Sequence, residues 1–182
     1  MVKKFKTPVS ESDHTLGPLN APVVLVEYGD FECPYSGAAA TVIEQLLSEY
    51  PRELYFVFRH FPLKGIHPTS EMAALASEAA HEQNQFWNMY HLLFDNQEHL
   101  SLKFIEMLAR KLRLDMSQFM QDIKRLDLME KVQRDYQVGI KSGVESTPSF
   151  YINDIKFEGS SSYSPLREAI ENELRGRGSL HA

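Results

Sequence analysis

Two apolar runs, residues 21–28 and 54–61, constrain the fold more than any other feature of the 182-residue sequence. Both are rich in β-branched or aromatic residues, as is typical of strands buried on both faces. Between them, apolar residues in the segment 34–50 recur at helical spacing, and Pro51 ends that pattern. Because a strand, a helix and a strand of these lengths form a right-handed parallel crossover, the pattern predicts an α/β fold.

The rest of the chain predicts a block of helices, a short hairpin and a last helix. Residues 68–138 show no strand pattern and indicate helices over 70–95, 102–112 and 117–137, the last with a break near Leu126. Short apolar runs on either side of Asn153-Asp154 predict an antiparallel hairpin over 147–159. A final helix is expected from about Ser164 to Leu174, with Gly176 ending it. These elements predict a small mixed sheet covered by helices.

We divide the chain into five segments on this pattern. A lead-in or edge segment (1–20) precedes the first half of the sheet (21–67), and a helical insertion (68–138) separates that half from the second (139–175). A flexible tail (176–182) follows. Six of the seven methionines lie in the insertion, where they fill a helical core or line an adaptable binding surface.

The charge balance excludes several classes of partner. The 19 Lys and Arg residues against 25 Asp and Glu residues give a net charge of −6, and both nucleic acids and anionic membranes select a basic surface. No apolar stretch reaches the roughly 18 residues that span a bilayer. The lysines near the N-terminus are not followed by the apolar core of a signal peptide. We therefore expect a cytoplasmic protein without nucleic-acid or membrane partners.

The single cysteine, Cys33, lies between the first predicted strand and the first predicted helix. With Cys33 as the N-cap, Pro34 takes the first helical position, where its missing N–H is harmless. The helix N-terminus then favours a thiolate, which is the nucleophilic form of cysteine, although Asp30 and Glu32 oppose it. The competing interpretation is an inert, buried cysteine.

The chain resembles the DsbA-like branch of the thioredoxin superfamily from about residue 9 to 174. The similarity lies in four stretches, which are Gly17-Pro18-Leu19-Asn20-Ala21-Pro22-Val23, Val26-Glu27-Tyr28-Gly29-Asp30-Phe31-Glu32-Cys33-Pro34-Tyr35, Phe58-Arg59-His60-Phe61-Pro62-Leu63 and Gly143-Val144-Glu145-Ser146-Thr147-Pro148-Ser149-Phe150. The resemblance implies a thioredoxin-like fold in which residues 68–138 form an inserted helical domain. It also implies thiol–disulfide exchange with protein or peptide thiols and disulfides.

The resemblance further implies roles for individual residues. Cys33 matches the exposed nucleophilic cysteine, and Glu27 matches a buried acid that manages proton transfer, although on the sequence alone Glu27 is equally a paired charge on a strand. Pro148 matches a proline held in cis opposite the cysteine. A cis proline leaves the backbone of Thr147 free to pair with an extended substrate.

Pro34 and Tyr35 complete the expected substrate-binding set. The same turn in the family carries a second cysteine, and here that position is Ser36. Without a second thiol the chain cannot store an internal disulfide, so an external thiol such as glutathione must resolve each mixed disulfide. Ser36 is either native or an introduced replacement, and its hydroxyl is expected to tune the Cys33 thiolate.

Two further functions are consistent with this sequence. One is a redox-inactive module that binds peptides or a partner protein through the same groove. The other is a glutathione-dependent transferase or isomerase, although such enzymes carry a serine where this chain has Cys33.

The histidines and glycines indicate no bound cofactor. None of the seven histidines has the spacing of a zinc site, so no metal is expected. His60 either approaches Cys33 and activates it or is a solvated loop residue. Phosphate-binding and dinucleotide-binding glycine motifs are absent from the sequence.

Overall fold

The computed structural model describes residues 8–178. Five strands form in the described part of the chain, namely β1 (His14–Leu16), β2 (Val23–Gly29), β3 (Leu54–His60), β4 (Ser149–Ile152) and β5 (Ile155–Phe157). The helices are α1 (Pro34–Glu49), α2 (Ser70–His81), α3 (Phe86–Asp95), α4 (Leu102–Lys111), α5 (Met116–Asp122), α6 (Leu126–Ser142) and α7 (Tyr163–Gly178), and a 3-10 turn covers Gln97–His99.

The five strands form one mixed sheet in the order β1-β3-β2-β4-β5. The central strands β2 and β3 are parallel, and the other neighbours are antiparallel. Positive φ angles of 45° at Asn153 and 70° at Asp154 make the tight turn between β4 and β5. The α/β class, the parallel crossover and the hairpin are confirmed.

The lead-in contains an edge strand. Residues 14–16 pair antiparallel with 56–58 of β3, so this part of the lead-in belongs to the sheet. Residues 1–7 of the predicted lead-in and 179–182 of the predicted tail lie outside the described residues.

Three predicted helix boundaries are wrong. The single helix over 70–95 is two helices, because the chain turns at Asn84, whose φ is +60°. Helix α6 continues to Ser142 and ends at Gly143, whose φ of +90° is the left-handed conformation that glycine adopts without strain. Helix α7 continues through Gly176 to residue 178, since Gly176 does not take that conformation.

The insertion packs on one face of the sheet through aromatic residues of α3. The ring of Trp87 lies 6.1 Å from Phe56, and the ring of Tyr90 lies 5.1 Å from Phe58. Helices α1 and α7 cover the rest of this face. No helix among residues 8–178 combines the length and the apolar character that crossing a bilayer demands.

Candidate active site

Cys33 is the N-cap of α1, as predicted, and Pro34 follows at the start of the helix. The sulfur is not bonded to a helix N–H. Instead, the thiol donates to the backbone carbonyl of Thr147, with 3.2 Å between Sγ and the oxygen. Cys33 is only 4% exposed, so the expectation of an exposed cysteine is wrong. The residue is buried because the thiol is directed inward at the loop before β4.

The predicted substrate-binding residues surround this thiol. The Thr147–Pro148 peptide bond is cis, and Thr147 is buried with no hydrogen-bond partner for its Oγ1. Tyr35, next along α1, is 71% exposed, and Pro34 is also exposed. The structure therefore brings a buried sulfur, a backbone carbonyl and an exposed aromatic ring to the end of the sheet where β2 ends and β4 begins.

Ser36 is fully buried and its hydroxyl is engaged elsewhere. The oxygen accepts a hydrogen bond from the backbone N–H of Asp30 at 3.3 Å. The hydrogen bonds of the described residues include none between Ser36 and the sulfur of Cys33. A direct effect of Ser36 on the thiolate stays a prediction.

The loop of residues 30–33, called here the active-site loop, is anchored by its own acidic side chains. Asp30 Oδ2 accepts hydrogen bonds from the backbone N–H of Leu63 and from His67 Nδ1, both at 2.8 Å. Glu32 Oε2 accepts the backbone N–H of Thr69 at 2.6 Å. The sequence analysis expected these two carboxylates to disfavour the Cys33 thiolate, and both of them accept hydrogen bonds from the segment that follows β3.

Gln97 is a contact of the active-site loop that the sequence analysis missed. Its Nε2 donates to the backbone carbonyls of Phe31 and Cys33, both at 2.8 Å. Gln97 opens the 3-10 turn of the insertion, 64 residues after the cysteine, so no local pattern connects the two. The one sequence signal was Gly37, a glycine within a helix, which often marks a close approach of another group.

Glu27 lies on β2 and is entirely buried. Burial raises its pKa to about 8, and neither carboxyl oxygen has a hydrogen-bond partner. Its neighbours across the sheet are Phe58 and Phe150. The alternative of a paired charge on a strand is therefore wrong. No hydrogen bond of the described residues joins Glu27 to Cys33, so its role in proton transfer stays a prediction.

His60 neither contacts solvent nor pairs with Cys33, so both interpretations of this residue are wrong. It is 1% exposed, and its Nε2 lies 2.7 Å from Glu78 Oε1. His14 Nε2 approaches the same oxygen at 2.7 Å. Burial opposes the charged form of Glu78, but the two histidine hydrogen bonds outweigh it and hold the carboxyl pKa well below its usual range.

His14, His60 and Glu78 are the one group among the described residues that offers three metal-ligand atoms, all within 4.8 Å of one another. The hydrogen bonds to Glu78 already engage these atoms. The ammonium of Lys131, 3.9 Å from the same Glu78 oxygen, adds a positive charge that opposes a cation there. The group therefore has the arrangement of a hydrogen-bonded charge cluster.

A groove borders the segment that anchors the active-site loop. Its volume is about 470 Å³, and it is lined by residues 62–66 with Gln133 and Tyr136 of α6. Ile66 in this groove is 71% exposed. The groove thus presents apolar surface next to the segment that binds Asp30 of the active-site loop.

The sequence matches a family described as thioredoxin over residues 9–172. It is 38% identical over 160 residues to Na(+)/H(+) antiporter NhaA 3 of Salinispora tropica, covering 88% of this chain and 24% of that protein. It is 37% identical over 171 residues to Na(+)/H(+) antiporter NhaA 1 of Mycolicibacterium vanbaalenii, covering 92% and 28%. The chain thus spans about a quarter of the length of these curated relatives.

Solved structures share the fold over nearly the whole chain. Oxidised BdbD from Bacillus subtilis has a TM-score of 0.80 at 24% identity, covering 92% of this chain and 96% of that one. Alpha-DsbA1 from Wolbachia pipientis has a TM-score of 0.82 at 22% identity, covering 95% and 96%. These similarities establish the DsbA-like form of the fold, in which helices are inserted into a thioredoxin-like sheet.

Proposed function

The chain belongs to the thioredoxin family, and from that membership we propose that it is a thiol–disulfide oxidoreductase with one catalytic thiol, Cys33. One observation carries the proposal. The only cysteine of the chain caps the N-terminus of α1 and faces the carbonyl of Thr147, beside the cis peptide bond to Pro148. A thiol at a helix N-terminus is the arrangement that favours the nucleophilic thiolate.

The proposed cycle needs no second cysteine in the chain. The Cys33 thiolate attacks one sulfur of a substrate disulfide, the substrate S–S bond breaks, and one substrate sulfur leaves as a thiolate. A glutathione thiolate then attacks the mixed disulfide at the substrate-derived sulfur and releases Cys33 as a thiolate. The sum is one exchange, in which the substrate disulfide and a glutathione thiolate become a substrate–glutathione disulfide and a substrate thiolate.

The neighbouring side chains have distinct parts in this proposal. The exposed Pro34 and Tyr35 contact the substrate, while Thr147 presents the backbone beside the attacking sulfur. Glu27, whose pKa is about 8, can take up or release a proton near neutral pH, although no hydrogen bond of the described residues joins it to Cys33. The partners we propose are protein or peptide thiols and disulfides with glutathione, in the cytoplasm, where glutathione is abundant.

The test is glutathione-coupled reduction of a glutathionylated peptide, followed by the appearance of glutathione disulfide. We expect the Cys33→Ser variant to lose the catalysed rate entirely. The Ser36→Cys variant is expected to gain a function, because residues three apart in the first helical turn lie on one face. Its oxidised form should oxidise a reduced peptide without glutathione, which the wild-type protein cannot do.

The binding-module alternative predicts a different pattern. A module binds an extended peptide equally well before and after Cys33→Ser, and it adds nothing to the uncatalysed glutathione reaction. A glutathione-dependent transferase or isomerase would instead join glutathione to an electrophile or return it unchanged, without forming glutathione disulfide. Either pattern contradicts the oxidoreductase.

A further inference from the structure

We propose that Gln97 is a positioning residue for Cys33. The absence of a side chain at Gly37 leaves the room that the Gln97 amide occupies. The inference rests on the proposed function, because the reaction that Gln97 supports is the exchange at Cys33. It adds a residue from the middle of the helical insertion to a site built mainly on the sheet, α1 and the segment that follows β3.

The side-chain amide of Gln97 binds the active-site loop through two hydrogen bonds. Nε2 carries two N–H groups, and they meet two backbone carbonyls of the active-site loop, Phe31 O and Cys33 O, each at 2.8 Å. Two acceptors fix which end of the amide faces the loop, since the opposite orientation would place an oxygen against both carbonyls. The Cys33 carbonyl also accepts the N–H of Gly37 at 3.1 Å, which is the first hydrogen bond of the helix.

The Gln97 amide occupies the space that a side chain at Gly37 would need. A Cβ built at Gly37 would lie 2.2 Å from Gln97 Oε1 and 2.8 Å from its Cδ, which is an overlap. The φ of Gly37 is not positive, so its backbone does not itself require glycine. Alanine is the better helix former by a clear margin. The Gln97 amide therefore supplies the reason for a glycine in the first turn of α1.

The hydrogen bonds of Gln97 bear on the position of the Cys33 thiol. Phe31 and Cys33 are the residues whose backbone sets where the sulfur lies relative to the helix N-terminus and the Thr147 carbonyl. The amide of Gln97 restrains both carbonyls at once, from a turn that is remote in sequence. Without it, the loop keeps the anchors at Asp30 and Glu32, and Cys33 keeps its backbone hydrogen bond from Gly37, but the side-chain restraint on the Cys33 carbonyl is lost.

A thermal double-mutant cycle tests the contact between the two residues. In the wild-type background, Gly37→Ala is expected to lower Tm, because the methyl group displaces the amide. In the Gln97→Ala background the same substitution is expected to raise Tm by about 2–4 °C, because only the helix preference of alanine remains. An effect of Gly37→Ala with the same sign in both backgrounds overturns the role of Gly37 as the space for Gln97.

The pH profile of Cys33 alkylation by iodoacetamide on the native protein tests the positioning role. Gln97→Met keeps the length of the side chain and removes both donors, so its profile should move to higher pH and its rate at pH 7 should fall about threefold to tenfold, the worth of one hydrogen bond. Gln97→Glu sets a carboxylate against the two carbonyls and should move the profile further. An unmoved profile in both variants overturns the proposal.

Gln83→Met is the matched control. Gln83 also lies in the insertion and also binds backbone through its side-chain amide, donating to Asp115 O at 3.1 Å and accepting Asp115 N–H at 2.8 Å. Loss of these two hydrogen bonds should lower the Tm without moving the pH profile of Cys33 alkylation. A shift equal to that of Gln97→Met would mean that general loosening of the insertion, rather than Gln97, controls the thiol.

These measurements separate the inference from the proposed function. Alkylation and Tm need no disulfide exchange by the protein. If the Gln97 variants have a shifted alkylation profile but the wild-type protein has no glutathione-coupled activity, the positioning role stands and the oxidoreductase function is rejected. If the wild-type protein is active but the profile of the Gln97 variants does not move, the oxidoreductase function stands and the positioning role is rejected.

Discussion

Two glutamates are buried in the part of the chain that the structure describes, and they differ in their hydrogen-bond partners. Glu27 on β2 is 0% exposed and Glu78 on α2 is 2% exposed. Burial alone raises the pKa of Glu27 to about 8, whereas two histidines hold the pKa of Glu78 well below its usual range. Equal burial therefore accompanies opposite charge states at neutral pH, and hydrogen-bond partners decide between them.

The surroundings of the two residues explain the difference. Glu78 has His14, His60 and Lys131 within 4 Å, in a cluster where the insertion meets the edge strand β1 and its neighbour β3. Lys131 in turn binds Asp135 at 2.6 Å. Across the sheet Glu27 has only aromatic residues, and the hydroxyl of Tyr90, which is near enough to respond to the charge of Glu27, is itself without a partner. The first site is built to hold a charge, and the second is built to hold a proton.

The largest expected effect comes from neutralising the partnered glutamate. Glu78→Gln leaves the Lys131 ammonium and two buried imidazoles around an uncharged amide, and we expect a loss of about 3–5 kcal/mol in the free energy of unfolding. Urea unfolding at pH 7 measures it. Glu71→Gln on the same helix is the control, because Glu71 is half exposed and its pair with Lys64 lies in solvent. Equal effects at the two positions would contradict the role of burial.

The same variant should change the acid side of the stability curve. The folded pKa of Glu78 is lowered, so its contribution is present above the unfolded value near 4.5 and is lost as pH falls below it. Burial also lowers the pKa of His14, so the contribution of the neutral imidazole to the free energy of unfolding is lost as pH drops below about 6.5. As pH falls, the free energy of unfolding of the Glu78→Gln variant should therefore decrease less steeply than that of the wild-type protein.

The unpartnered glutamate should respond with the opposite sign. The folded pKa of Glu27 is raised, so the folded protein holds a proton that the unfolded chain releases, and stability falls as pH rises from about 4.5 to about 8. Glu27→Gln removes this dependence and should be more stable than the wild-type protein at pH 8 by about 2–4 kcal/mol, since the amide is still buried without a partner.

Unfolding by urea at pH 5 and pH 8 measures the Glu27 effect. The two proteins should have similar stability at pH 5 and should diverge at pH 8. Parallel curves at the two pH values would mean that Glu27 is charged in the folded protein and has a partner there.

The smallest expected effect lies at the surface. Arg125 forms ion pairs with Glu82, Asp122 and Asp127, which include hydrogen bonds as short as 2.5 Å. Because Arg125, Glu82 and Asp127 remain in contact with water and only Asp122 of the group is buried, we expect Arg125→Ala to shift Tm far less than Glu78→Gln does. A comparable shift would show that the number of partners, and not their burial, sets the worth of a charge in this chain.

The sequence predicted the elements that depend on near neighbours. The apolar runs gave β2 and β3 to within two residues, and the Asn153-Asp154 turn was placed correctly because its residues favour positive φ. The break near Leu126 was confirmed between α5 and α6. The break at Asn84 was missed because neither glycine nor proline marks it in the sequence.

The sequence by itself determined the class of fold, the position of Cys33 at the start of a helix and the absence of a second thiol. The first two follow from patterns along neighbouring stretches of the chain, and the third is a count over the whole sequence. Only the tertiary structure decided which polar groups meet: His14 with Glu78, Gln97 with Cys33, and Ser36 with Asp30 rather than with the thiol. The first two contacts join residues 64 apart in the chain, so they exist only once the insertion has packed back on the sheet. The direction of the Ser36 hydroxyl was settled by which donor the folded loop presents to it.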